Sequence, residues 1–539
     1  MSMQRVSLSA LDLLVFVLYF AVVVALGIYV ARREKKTSRD YFLAGDRLPW
    51  YAIGGSLTSA NISSEHFVGM IGFAYAAGLV VANMEWGNWY TYSLLVWIFL
   101  PYYMRSGLYT MPEFLERRFN RPTRYLYALS TLLTYVLGFI AAILYAGAVV
   151  LEALFGIDPV HGVLLMAVTT AVYTIYGGLL SVVWTDFLQF IILFAGGAVV
   201  TILGLNATGG ILPLMREFPE KFFMAYPASH PEFPFAGMVG TVLSVSMWYV
   251  CTNQFMVQRC LGARSEWDAR MGAVFAGYMK LLLPFIICLP GVIAWKVLGP
   301  GVDPNHVFAL LVARLVPPGL IGLIMAGLAS AIMSTISSAL NSASTVATLD
   351  LIVPLWKKNA TQEEQVSWGK WLSALFMVVA VGFAIMFSHQ QGKVFLIIQN
   401  INAYFAAPVA ALFIVGIFWK GATSTAATVT FIAGFALNEL VDKVLFRMEP
   451  FTRYNSFYNR ATLVFALSLL ILWSVSLFTK KTPREVVDSI CWRPSDLKLR
   501  GDGRSAHGTR SLTIAWALMA GSILAVYAAL GVFQWLHRG

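Results

Sequence analysis

Apolar runs long enough to cross a bilayer recur along the chain, and their interruptions carry the information. A spanning helix needs about 20 mostly apolar residues. Such runs fall at approximately 10–31, 49–78, 82–104, 124–154, 159–178, 182–205, 235–257, 271–296, 317–348, 371–388, 394–418, 422–441, 461–479 and 511–536. The pattern predicts an all-α membrane protein with about 14 transmembrane helices. Two runs are broken by polar residues. In the second run, Ser56 to Met70 reads SLTSANISSEHFVGM, a stretch that lipid would not accept as a helix face. In the seventh, WYVCTNQ interrupts at 248–254. Backbone that leaves the helix at membrane depth persists only inside protein or beside a wet cavity. Freed carbonyls there are natural ligands for a hard cation.

A broken span opens each of two groups of five, which points to inverted repeats with a site near mid-membrane. The implied organisation is an extra helix and cytoplasmic loop at 1–48, a first repeat at 49–205 and an extracellular loop at 206–234. A second repeat at 235–421 follows, then three additional helices at 422–539 with a basic cytoplasmic loop at 480–510. That loop is polar and basic and is expected to pack poorly.

Composition agrees with the pattern. The 539 residues are 58% hydrophobic and 12% charged, against ~25% charged in soluble domains. The net charge of +11 would suit nucleic acid, but the basic residues lie in short loops between apolar runs. Roughly two thirds of the 38 Lys and Arg fall on one side if both termini are outside, which sets the orientation by the positive-inside rule. The expected setting is a multispanning protein of the plasma (inner) membrane, with no nucleic-acid role and no obligate protein partner evident. The four cysteines form no CxxC pair and imply neither a disulfide framework nor a zinc site. The first run is too long for a signal-peptide core and reads as an anchor.

Ionisable groups inside spans are few. Glu85 and Lys280 each cost at least ~2.5–3.5 kcal/mol to bury singly. Either they pair as structure, or they stand beside a polar cavity where a carboxylate accepts and an ammonium donates. Asn61, His66, Ser246 and Gln399 add neutral polar groups on other core spans. The mixture suits a neutral polyhydroxy solute, since no arginine fork is present for a carboxylate. A lone His66 without a second His or Cys at ligand spacing is a hydrogen-bonding group rather than a metal ligand. Tyr249 is either a core aromatic or a ring that stacks on a ligand. On ASAIMSTISSALNSAST (329–345), Ser334, Thr335, Ser337 and Ser338 crowd two helical turns. Small residues can serve helix packing alone. The alternative is an oxygen-lined cation site completed by carbonyls near Ser59 and Ile62. Asp186 either caps a helix start or brings a negative charge to that site. No nucleophile–base motif such as GxSxG or HExxH appears, so no catalytic residue is assigned. A membrane sensor or intramembrane enzyme remains a remote alternative.

At this point the chain resembles the sodium/solute symporter family, in particular its sodium/glucose cotransporter branch. The resemblance rests on DYFLAG (40–45), SANISSEHFVGM (59–70), the Glu-Trp pair at 85–86, YTMPEFLERRFN (109–120), YGGLLSVVWTDFLQ (176–189), CTNQFMVQRCLGA (251–263), LNSASTVATLD (340–350) and FWK (418–420). It implies the LeuT-like fold of five plus five helices, with a discontinuous first helix in each half. It implies a sugar site at Asn61, His66, Glu85, Ser246, Lys280 and Gln399, with Tyr249 as inner gate. It implies a sodium site of backbone carbonyls at Ser59, Ile62 and Ala331 and hydroxyls at Ser334 and Thr335, and a second sodium near Asp186, Ser337 and Ser338. The implied activity is sodium-coupled import of a glucose- or galactose-like hexose, or of another neutral polyol such as myo-inositol. Val250 departs from the tryptophan common after the gate tyrosine in sugar carriers. Met84 and Asn88 depart beside Glu85.

Overall fold

The computed structural model describes residues 8–33, 37–388, 394–499 and 508–537. Helices account for nearly all regular structure, and among the described residues there is no strand, only two isolated β-bridges. In chain order the long elements are α1 (Ala10–Ala31), α2 (Trp50–Asn61), α3 (His66–Ala77), α4 (83–106), α5 (121–155) and α6 (Pro159–Thr208). These are followed by α7 (Phe235–Thr252), α8 (Gln254–Leu261), α9 (Glu266–Leu298) and α10 (Ile321–Leu355). The last five are α11 (Gln362–Ser388), α12 (Val394–Phe418), α13 (Ser424–Lys443), α14 (Phe457–Phe478) and α15 (Thr509–Leu536).

Both interruptions expected from the polar stretches are present. Between α2 and α3 the chain leaves helical geometry at Ile62 (φ −104°, ψ 124°). Between α7 and α8 it does so at Asn253 (φ −74°, ψ 128°). A third interruption falls inside α6. At 50 residues this helix would be about 75 Å long, far more than a bilayer. Gly178 breaks it with φ 48° and ψ −153°, where a side chain would collide with the Tyr41 carbonyl. The expectation of about 14 spans is not reproduced as a count. Among the described residues nine helices are long and apolar enough to cross a membrane, with α6 counted once across its break and His66–Ala77 and Tyr404–Phe418 falling below the length.

The centre of the molecule is α10. A helix buried all round sits inside its bundle rather than at its edge, and every residue of Ile324–Val346 is buried. It packs on α2, α6, α8 and α11, so its hydroxyl-rich face meets the broken helix. By contrast α1 and α15 expose long apolar faces, with Val17 at 63% and Leu518 at 59%, as lipid-facing helices do.

The region 480–499 overturns the expectation of poor packing. Trp492 donates its backbone N–H to the Ile417 carbonyl at 3.0 Å, and Lys420 pairs with Asp488 at 2.6 Å. Arg105 at the end of α4 binds Glu266 at 3.0 Å and Asp496 at 2.8 Å, and Arg270 donates to the Leu497 carbonyl at 3.1 Å. The polar composition that suggested a loose loop instead supplies a strap across α4, α9 and α12.

Candidate functional site

The α2 terminus and α10 make an oxygen-rich knot. A helix ending inside protein leaves its last carbonyls without donors. Here two hydroxyls of α10 reach them. Ser334 Oγ lies 3.0 Å from the Ser59 carbonyl, and Thr335 Oγ1 lies 3.1 Å from both the Ala60 and Ile62 carbonyls. The same hydroxyls also lie within 3.3 Å of the Ala331 carbonyl on their own helix. The Ser59 carbonyl already accepts the Ile62 N–H at 3.1 Å and the Ala331 carbonyl lies within unbroken helix, but each hydroxyl carries one proton, so the Ala60 and Ile62 carbonyls must share the single proton of Thr335. Excess acceptors in a dry site fit a hard monovalent cation. Ser59, Ile62, Ala331, Ser334 and Thr335 are thus brought together. Ala60 was missed, because a backbone ligand leaves no side-chain signal.

One turn further along α10 stands a buried carboxylate. Asp186 is fully buried in the middle of α6, so it does not cap a helix start. It accepts from Ser56 Oγ at 2.7 Å, Ser338 Oγ at 3.2 Å and Ser337 Oγ at 3.3 Å. Arg259 of α8, equally buried, stands 3.5 Å away and donates to the Ser56 carbonyl at 2.7 Å. Sequence reasoning grouped Asp186, Ser337 and Ser338 but not Ser56 or Arg259, although both lie in the quoted motifs. The arginine supplies the carboxylate with a partner even without an ion.

Beside the knot is a cavity of about 190 Å³, lined by Asn61, His66, Asn88, Ser246, Tyr249 and Thr335 among others. That is smaller than drug-sized pockets of ~300–1,000 Å³ and suits a small solute. Where the chain restarts after the break, the Ser63 N–H donates to His66 Nδ1 at 3.2 Å and the Glu65 N–H to Ser63 Oγ at 3.3 Å. The opposite ring nitrogen, Nε2, lies 3.4 Å from Glu85 Oε1. Lys280 of α9 contacts both Glu85 and the Asn61 side-chain oxygen. Glu85 and Lys280 therefore form a paired, buried second layer behind Asn61 and His66, and neither lines the cavity. A buried pair held on both sides by hydrogen bonds avoids the cost of a lone charge. Tyr249 lines the cavity, with the Phe255 ring edge-on at 5.4 Å and the Phe139 ring at 6.4 Å. Glu65, Phe139 and Trp248 also line it and were not assigned to the solute site from the sequence. The side chain of Gln399 lies outside the described residues. No cluster of three His, Cys, Asp or Glu groups suited to a metal occurs among the described residues.

Known proteins resemble this chain over most of its length. Residues 41–434 match the model of the sodium:solute symporter family. The chain is 33% identical over 465 residues to a sodium/glucose cotransporter of Vibrio parahaemolyticus, covering 80% of this chain and 85% of that one. It is 31% identical over 549 residues to sodium/glucose cotransporter 1 of Oryctolagus cuniculus, covering 90% and 81%. It is 34% identical over 482 residues to a sodium/myo-inositol cotransporter of Mus musculus, covering 80% and 67%. Among solved structures, a Na+-coupled sialic acid symporter in a substrate-bound outward-open state superposes with TM-score 0.78 at 22% identity, over 88% of this chain and 99% of that one. The fold is the LeuT-like one, and the protein is a membrane transporter rather than an enzyme. With a matching family model over most of its length and relatives above 30% identity, the chain belongs to the sodium:solute symporter family.

Proposed function

We propose that the protein is a sodium-coupled symporter that imports a neutral hexose of the glucose or galactose type by alternating access. The observation that carries this reading is that Thr335 belongs to two places at once. Its hydroxyl lies in the oxygen knot, and its side chain lines the solute cavity. An ion docking at the knot therefore fixes Asn61 and Ile62, consecutive residues at the break, and with them one wall of the cavity.

The mechanism follows from differential affinity, the only way a ligand shifts a conformational equilibrium. Sodium entering from outside bridges the end of α2 to α10 through Ser59, Ile62, Ala331, Ser334 and Thr335, and favours the outward-open form. The solute hydroxyls then meet Asn61, His66 and Ser246, with Glu85 and Lys280 polarising the first two from behind. Gln399 would complete the set from α12. Closure over the solute and rocking of one half against the other opens the inner side. Loss of sodium to the cytoplasm frees Tyr249 to swing away as the inner gate.

One ion moving down ~100 mV gains ~2.3 kcal/mol, and a tenfold concentration gradient adds ~1.4 kcal/mol. Together they sustain a solute gradient of roughly 500-fold, and two ions would square it. We assign the second ion to Asp186, Ser337 and Ser338, displacing part of the Arg259 contact. The basic loops support placing both termini outside the plasma (inner) membrane.

A second reading is a myo-inositol carrier, favoured by the 34% identity to a sodium/myo-inositol cotransporter. Both solutes are uncharged polyols that fit the same donors and acceptors. Uptake of labelled hexoses and inositols into proteoliposomes, with sodium and then with potassium replacing it, separates them. Sodium-dependent uptake of a hexose over inositol is the expected result; uptake at the same rate in potassium rejects coupling altogether.

A further inference from the structure

The outer half of the broken span, α3, carries His66 at one end and finishes against the 209–234 segment at the other. Its C-terminal carbonyls need partners, and one side chain supplies two of them. Lys221 Nζ donates to the Tyr75 carbonyl at 2.9 Å and to the Ala76 carbonyl at 2.8 Å. The same ammonium sits 3.6 Å from the centroid of the Trp295 ring near the end of α9. Lys221 is only 6% exposed and makes no ion pair among the described residues. A cation is favoured at the negative end of a helix dipole and over an indole face, so carbonyls and ring take the place of a counter-ion.

The surroundings make this a latch rather than a lone contact. Gly78 ends α3 with φ 85°, and a side chain there would strike the Lys221 carbonyl. Asn83 at the start of α4 donates to the Met224 carbonyl at 2.7 Å, and Gln534 of α15 accepts from the Met224 and Ala225 N–H groups at 2.9 and 3.1 Å. The Tyr75 hydroxyl donates to the Gly299 carbonyl at 2.6 Å and accepts from the Val302 N–H at 3.1 Å. The segment is thus anchored on α4 and α15 and presents one ammonium to the end of α3.

We infer that Lys221 is a positioning residue for solute binding: by holding the C-terminus of α3 against α9 it sets where the other end, with His66, stands at the cavity. The inference rests on the symport reading above. It concerns a residue that touches neither solute nor ion, since Lys221 does not line the cavity.

The test uses the full chain in proteoliposomes, in the parent and in Lys221→Met and Trp295→Leu variants. Lys221→Met leaves the carbonyls unpaired and is expected to raise the solute KM about tenfold while the maximal rate changes less than about twofold. Trp295→Leu keeps the ammonium on its carbonyls and is expected to raise KM by about threefold. A second readout needs no transport. Gly69 has open space around its Cα, and the four native cysteines are buried. Labelling of Gly69→Cys by an impermeant maleimide is expected to slow with sodium when Lys221 is present and to lose that sensitivity in Lys221→Met. Unchanged KM and unchanged sodium-sensitive labelling in whichever variant reaches the membrane overturn the inference, as does a fall in folded protein with normal KM. If the parent shows no sodium-driven uptake, the symport reading falls, and the latch is then decided by the sodium-free labelling rate of Gly69→Cys, which is expected to change in Lys221→Met and whose identity with the parent overturns the inference.

Discussion

The Thr335 hydroxyl of α10 stands 3.1 Å from the carbonyl of Ile62, the residue at which the first core helix breaks. Replacing that hydroxyl by a methyl in Thr335→Val keeps the volume but removes an oxygen from the knot. Sodium affinity is expected to fall by about tenfold or more, the worth of one strong ligand or hydrogen bond. The sodium dependence of uptake in proteoliposomes reads this directly. Ser334→Ala is expected to weaken sodium in the same direction, and a sodium KM within twofold of the parent in both variants would remove the knot as the ion site.

Glu85 and Lys280 are expected to behave as a unit. Breaking a buried pair by removing one partner costs ~3–5 kcal/mol, since the other charge is left alone. Glu85→Gln and Lys280→Met should each lower the thermal midpoint of the purified protein, and the double variant should lose less than the sum of the two. Additive losses would mean that the two charges do not support each other. All three variants are expected to lose solute affinity, because Asn61 and His66 lose their backing.

The buried carboxylate tests stoichiometry. With two ions per solute, net charge moved per labelled solute is about two in the parent. Asp186→Asn is expected to reduce it to about one by weakening the second site. A ratio of one in the parent would leave Asp186 only its contacts with Ser56, Ser337, Ser338 and Arg259.

The strap at 484–499 depends on Arg105, which is 11% exposed and paired to both Glu266 and Asp496. Arg105→Ala is expected to release it and accelerate proteolytic cleavage within 484–499 by about tenfold, as local opening becomes easier. Cleavage at the parent rate would show that Trp492 and Lys420 hold the strap without it.

These expectations show where the sequence is informative. The break at Ile62 was visible because eight polar side chains fall inside an apolar run, and lipid forbids that on an exposed helix. The grouping of Ser334 and Thr335 with that break followed from chemistry and from the family resemblance. Ala60 left no trace, because it contributes a carbonyl that every residue owns. Arg259 was visible as a residue, but its meeting with Asp186 depends on how α8 restarts after Asn253. The pairing of Glu85 with Lys280 was foreseen as one of two alternatives, and only the packing of α9 against the broken helix placed the pair behind the cavity wall. The strap misled, because its charges read as solvation when they are its attachment points. Lys221 lay in a stretch, 206–234, that the sequence marks only as an extracellular loop.

The central claim is that ion and solute share one wall and therefore move together. Coupling is reciprocal, so the sharpest measurement is radioactive sodium influx into proteoliposomes with and without solute outside. Hexose is expected to accelerate sodium influx severalfold, and Thr335→Val to abolish the acceleration. Sodium influx indifferent to every hexose and inositol tested would contradict the account.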